Sequence, residues 1–343
     1  MSMNIASFNQ PTTLKALSFI LKYFCGMSLL SLIFIFFNSA HASCNVTGTT
    51  SGTYTYTAAT INNDAILTYT GTIRCYGGRS TPEISGYMCM KTVFNGTTSS
   101  NNSVSLPYTV TATVGGAGSS TTNQTSNVWY GPVKTVSSNN NVISYSVNIK
   151  VPARSGSLMA YPKGTYTGTV QLFWDMQAGS STVCEGDGGG GWDSGNTTLT
   201  ANYVVPSLCQ IDSTSNVDFG NINDIGKTSR DYTAQGVVNT TCNTGLPYSI
   251  YLGDGNNRIA GGFRQMTNGS GQYIPYQLYQ NSNYSAVWDT TGGVSAVGGS
   301  GGVFKTGSGN SQGTNVYGKI PQGTTIATAP GNYSDTIVVT VTY

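Results

Sequence analysis

The sequence predicts an all-β protein made of two tandem β-sandwiches, the second one strand short. Three observations carry this: the composition, a period-two alternation of apolar residues, and an internal repeat. Charged residues are 8% of the 343-residue chain, against about 25% in an average soluble protein. Glycine (44) is abundant, and Tyr (22) outnumbers Phe (11) and Trp (4) together. Sparse charge with abundant Thr, Tyr and Gly favours strands and excludes a coiled coil. The lack of basic clusters excludes a nucleic-acid partner. An apolar fraction of 38% with regular strand patterns excludes disorder.

Residues 1–42 are expected to be a signal peptide. Lys15 and Lys22 precede an apolar run from Cys25 to Phe37, and Ala40-His41-Ala42 follows as an A-x-A cleavage site. The run of 13 residues is short for a membrane span of about 20. Cleavage after Ala42 removes two of the 15 basic residues and no acid, leaving 13 against 13 and a net charge of zero. It also removes the only histidine, His41. Without His, no Ser-His or Cys-His couple forms and the commonest metal ligand is lost, so neither an enzyme, a metal site nor a cofactor is expected. Six cysteines remain, an even number that in an exported chain implies disulfides.

The mature chain repeats itself. Cys44 to Cys75 spans 31 residues and Cys209 to Cys242 spans 33. Leu106-Pro107-Tyr108 matches Ile274-Pro275-Tyr276, Val128-Trp129 matches Val287-Trp288, and Val151-Pro152 matches Ile320-Pro321. Gly164-Thr165-Tyr166 matches Gly331-Asn332-Tyr333. The anchors keep their order, so two homologous domains are expected, 43–206 and 207–343. Equivalent positions pair Cys44 with Cys75 and Cys209 with Cys242, leaving Cys89 to Cys184.

The elements are strands. Tyr145, Val147, Ile149 and Val151 alternate, as do Tyr166, Val170, Leu172 and Trp174, and then Ile337, Val339 and Val341. Gly and Asn clusters separate them, and many short strands between turns build sandwiches. After its Gly-x-Tyr strand the first half adds a Gly-rich connection and a further strand candidate, Thr197 to Val205. The second half reaches Tyr343 within the equivalent of the Gly-x-Tyr strand. The second sandwich should therefore expose core side chains beside an open edge, to be covered by a strand from another chain. Ile337, Val339 and Val341 should form one wall of that groove, and Ile211, Val217 and Phe219 the other.

At these residues the sequence resembles a known family. Cys209, Val217-Asp218-Phe219-Gly220, Cys242, Tyr276-Gln277-Leu278-Tyr279, Val316 to Pro321 and the ending Gly331 to Tyr343 resemble the spore coat protein U domain, the pilin module of archaic chaperone–usher pili. Two tandem domains with only the second incomplete resemble the tip adhesin of such pili. The resemblance implies pilin-like, immunoglobulin-type sandwiches and export through the periplasm to the pilus tip at the cell surface. It implies as partners a periplasmic chaperone, an outer-membrane usher and the next subunit, joined by donor-strand exchange. It further implies attachment to abiotic surfaces and biofilm formation, with lectin-like adhesion to a glycan or a purely structural subunit as alternatives.

A surface-binding site is expected where the first half departs from the repeat. Nine extra residues lie between Tyr108 and Trp129, around Gly116 and Ala117, and a second loop carries Leu158-Met159-Ala160-Tyr161. An up-and-down path would put both loops and Tyr76 at one pole. These seven residues are candidates for apolar contact with hydrophobic surfaces. That arrangement needs the last strand to run parallel to the one before it; if antiparallel, the Gly-rich loop with Trp192 becomes the distal site. The glycines between Asp187 and Asp193 bring two carboxylates, too few for calcium.

Overall fold

The structure, a computed structural model, describes residues 43–76, 86–101, 103–138, 141–154, 158–177, 184, 191–259, 262–326 and 329–343. The expected leader and most of the Gly-rich connection lie outside the described residues. Apart from one short 3-10 turn, Leu158–Ala160, the regular structure among the described residues is all strand. This follows from the Thr, Val and Tyr content, whose branched and aromatic side chains pack well on a pleated surface.

The first sandwich is built from β1 (Ser43–Gly48), β2 (Ser51–Thr55), β3 (Ala65–Tyr76), β4 (Tyr87–Phe94), β5 (Thr109–Val114), β6 (Ala117–Ser119), β7 (Tyr130–Lys134), β8 (Ile143–Val151), β9 (Gly164–Gln177) and β10 (Gly191–Val205). One sheet has the order β1-β3-β8-β5-β6 and the other β2-β10-β9-β4-β7. The alternation read from the sequence sets which side chains face inward. Ile143, Tyr145, Val147, Ile149 and Val151 of β8 are buried, as are Tyr166, Val170, Leu172 and Trp174 of β9. Facing them from β10 are Leu199, Ala201, Tyr203 and Val205, each at most 1% exposed.

The second sandwich is built from β11 (Cys209–Thr214), β12 (Tyr232–Cys242), β13 (Pro247–Leu252), β14 (Arg264–Thr267), β15 (Tyr273–Tyr279), β16 (Val303–Thr306), β17 (Gln312–Ile320) and β18 (Val339–Thr342). Its larger sheet, β11-β12-β17-β15-β14, repeats the first sandwich's order β1-β3-β8-β5 over four strands, but its edge strand β14 precedes β15 in the chain whereas β6 follows β5. Among the described residues its other sheet holds β16-β13-β18, the counterparts of β7-β4-β9. Its core gathers Tyr248, Ile250, Leu252 and Trp288, whose Nε1 donates to the Ile250 carbonyl at 2.8 Å. Arg264 is fully buried there and donates to the carbonyls of Leu252, Gly253 and Trp288 and to Oε1 of Gln277. Four acceptors make its burial tolerable, and desolvation lowers its pKa.

The three disulfides are Cys44–Cys75, Cys89–Cys184 and Cys209–Cys242. The first and third join directly paired residues of β1 with β3 and of β11 with β12.

Tyrosines fill much of both cores. Burial pushes the Tyr69 phenol up to about 12 and raises Tyr56, Tyr203 and Tyr276 as well. In the unfolded chain these groups ionise near pH 10. Their contribution to stability is therefore complete below about pH 10 and is lost as pH rises toward 12. We expect tyrosinate absorbance to rise in step with loss of near-ultraviolet dichroism above pH 10. Full ionisation of all tyrosines near pH 10 with the fold intact would contradict this.

Candidate functional site

The two sandwiches differ most beside β18. In the first, β10 lies between β9, antiparallel to it, and β2, parallel to it. In the second, β18 pairs with β13 on one side, and no described strand adjoins its other edge. The counterpart of β2 is the segment after β11. It starts where Ser215 N donates to the Val237 carbonyl at 2.9 Å. Between this segment and β18 lies a groove of about 400 Å³.

Four of the six residues expected in the groove line it: Val217 and Phe219 on one wall, Ile337 and Val339 on the other. Val341 packs on the same core beyond the groove. Ile211 does not line it and is 43% exposed. Its counterpart two residues after the disulfide, Val46, packs against the first core. The difference has a physical cause: among the described residues β10 has no equivalent over β11, so the side chain stays in water.

Leu252, Met266, Tyr276 and Leu278 also line the groove, and sequence reasoning gave them no role. The signal was present for Tyr276 and Leu278, which sit at alternating positions of β15 within a recognised motif. One end is polar, where Tyr276 OH donates to Asp335 Oδ2 at 2.7 Å and Asp335 Oδ1 accepts from Asn256 N and Thr336 N. The arrangement offers an apolar floor and an unpaired backbone edge, which suit an extended peptide. No group of metal-ligating side chains occurs among the described residues.

The expected surface loops of the first sandwich separate to opposite poles. Tyr76, half-buried, and Gly116, exposed with φ +95°, lie at the pole where β1 begins and β5 ends. Ala117 is there too but is fully buried. Leu158–Ala160 and Tyr161 lie at the other pole, where β8 ends, β9 begins and the chain leaves β10. The shared-pole expectation fails because two short strands, β6 and β7, and not one, stand between the Gly116 turn and β8. The chain makes the β5–β6 hairpin, crosses to β7 in the other sheet, and then enters β8 from the Gly116 pole. As a result β10 runs antiparallel to β9 and still ends opposite Gly116. The connection bearing most of the Gly-rich loop lies outside the described residues, as does the Trp192 side chain.

Leu158, Ala160 and Tyr161 are thus drawn toward the core, and the Met159 side chain lies outside the described residues. Leu158 and Ala160 pack on the first core, and Tyr161 is 1% exposed, with its ring 5.7 Å from that of Tyr56. Its carbonyl accepts from Asn243 Nδ2 of the second sandwich at 2.7 Å, and Asn243 Oδ1 accepts from Leu208 N at 2.5 Å. Short apolar runs in a polar chain mark burial as readily as exposure, and here burial at a joint takes the residues. Tyr161→Ala should destabilise the first sandwich by about 3–5 kcal/mol, while Tyr161→Phe should stay within about 1 kcal/mol of the parent. Denaturant unfolding followed by tryptophan fluorescence measures both.

Residues 196–340 match the model of the Spore Coat Protein U domain, a segment that opens inside β10 and covers less than half of the chain. No curated protein matches the sequence. Several solved structures match parts or most of the chain. The CsuC-CsuE chaperone-tip adhesion subunit pre-assembly complex of Acinetobacter baumannii includes a chain 16% identical, with a TM-score of 0.47 over 88% of this chain and 100% of that one. The CupB6 tip adhesin from Pseudomonas aeruginosa is 10% identical, with a TM-score of 0.35 over 88% and 94%. The CooA pilin subunit from enterotoxigenic Escherichia coli is 16% identical, with a TM-score of 0.29 over 48% and 98%. Residues 196–340 of this chain are thus similar to the Spore Coat Protein U domain.

Proposed function

We propose that the chain is the tip adhesin of a chaperone–usher pilus and not an enzyme. The second sandwich, 207–343, is the assembly domain, and the first, 43–206, is the surface-binding domain. A periplasmic chaperone covers the groove first, and at an outer-membrane usher the next subunit replaces it with its own strand. The chain then stands on the cell surface and supports attachment and biofilm formation.

The observation that carries this reading is the contrast between the filled position of β10 in one sandwich and the groove beside β18 in the other. The first sandwich also supplies a template for the occupant. By analogy with β10, the donated strand runs antiparallel to β18 and parallel to the segment 215–219. It presents an apolar residue at every second position, as β10 does with Leu199, Ala201, Tyr203 and Val205.

The surface-binding end is the pole opposite the point where the chain leaves β10. There Val136 is 65% exposed and its N–H donates to the Gly115 carbonyl at the β5–β6 turn, beside Gly116. Apolar contact at this pole, with no net charge on the mature chain, is insensitive to salt screening.

Two measurements test the reading. A complementing strand with alternating apolar residues, fused after Tyr343 through a flexible linker, should turn an aggregating periplasmic product into a soluble monomer. Aspartate at the inward positions of that strand should undo the gain. A chain that is already a cooperative monomer and gains nothing from the strand would sink the assembly reading. Separately, Val136→Asp should leave pili on the cell and lower attachment to polystyrene severalfold, with wild-type attachment unchanged at high salt. Undiminished attachment by that variant would move the binding surface elsewhere.

A further inference from the structure

The outward face of the β2-β10-β9-β4-β7 sheet carries a cluster that neither the strand groove nor the Val136 pole uses. On β4 the inward side chains are Met88, Met90 and Thr92, so Lys91 points away from the core. On β9 the inward residues Leu172 and Trp174 leave Phe173 and Gln171 on the same outward face. Lys91 pairs directly with Phe173, and Phe173 with Asn196 of β10. Trp129, just before β7, comes up beside them.

The Lys91 ammonium lies 4.9 Å from the centre of the Trp129 ring and 5.1 Å from that of Phe173. It donates to Asn127 Oδ1 at 3.2 Å. Gln171 Nε2 donates to Asn196 Oδ1 at 3.2 Å. Lys91, Trp129, Phe173 and Gln171 are half-buried, and Asn127 and Asn196 are exposed. Among the described residues no carboxylate lies within 4 Å of the Lys91 ammonium.

We propose that this face binds an acidic sugar. Three features select that ligand. An indole and a phenyl ring, 4.9 and 5.1 Å from the same ammonium, offer flat apolar surface on which the C–H face of a pyranose packs, and aromatic groups with one wet side suit such contacts. Asn127, Gln171 and Asn196 surround the rings with amide groups, which both donate to and accept from hydroxyls. The ammonium has three donors, of which Asn127 takes one, and two aromatic faces hold it in place without neutralising it. A carboxylate on the sugar completes it through a charge-assisted hydrogen bond. A nucleic acid would need several cations, and this cluster has one. The inference goes beyond surface attachment by the pole at Val136 and does not depend on pilus assembly.

The test uses the full mature chain, kept soluble by the complementing strand fused after Tyr343, with methyl β-D-glucuronide and methyl β-D-glucoside as probes. Saturation-transfer NMR and tryptophan fluorescence report binding directly. The glucuronide should bind about tenfold more tightly than the glucoside, as expected for one charge-assisted contact, and the advantage should shrink with added salt. Lys91→Gln should bring the glucuronide down to the glucoside level, and Trp129→Ala should abolish binding of both. Because Trp129→Ala can also weaken the fold, the exposed Asn127→Ala variant serves as a second probe and should lower both affinities severalfold without a change in melting temperature. Absence of saturation transfer from either sugar overturns the proposal. So does equal affinity for both sugars with Lys91→Gln silent. Either failure leaves the strand-fusion result untouched, so the two readings are separable.

Discussion

A strand at the edge of a sheet leaves a row of backbone donors and acceptors that must be satisfied by something. The two sandwiches meet this constraint differently. In the first, β10 sits between β9 and β2, its backbone bonded on both sides and its inward side chains closing the core. In the second, among the described residues, β18 pairs with a strand on one side only, and the core beneath it is open to a groove. The exposure of Ile211, the partial burial of Val217, Phe219, Ile337 and Val339, and the reduction of one sheet to three strands all follow from that single vacancy.

Much of this was legible in the sequence because it depends on period and spacing. The alternation in β8, β9 and 337–341 named the inward residues, and the repeat of cysteine spacings named two disulfides and left the third by elimination. The position of the absent strand could be read by laying one half over the other. What could not be read was the path through short elements. β6 has three residues and β7 five, too short for a periodic signal, yet together they reverse the direction in which the chain enters β8. That reversal carried Leu158–Tyr161 to the joint with the second sandwich. The platform at Lys91 was hidden for another reason: Lys91, Trp129 and Phe173 are far apart in sequence and meet only through the pairing of β4 with β7 and β9.

Low charge shapes both cores. With few ionic groups, the structure spends polar side chains as hydrogen-bonding struts. Tyr69 OH donates to the Thr200 carbonyl and Tyr203 OH to the Ile149 carbonyl, each tying one sheet to the other across the first core. Arg264 performs the same task in the second, linking the end of β13 to β14 and to the Trp288 loop. A phenol carries a large apolar ring and one polar atom, so it seals a thin sandwich while satisfying a carbonyl that would otherwise be stranded.

The placement of β10 also has a mechanical meaning. The chain passes from Val205 to β11 within a few residues, so any pull on the second sandwich reaches the first through the C-terminal end of β10. That strand runs antiparallel to β9 along nearly its whole length and parallel to β2 at its end. Traction along it loads these bonds in shear, all at once, and not one after another as in peeling. The buried Tyr203 and Leu199 side chains add to the resistance, because sliding the strand by one residue would turn them out of the core. The element that closes the first sandwich is thus also the one that bears its tensile load.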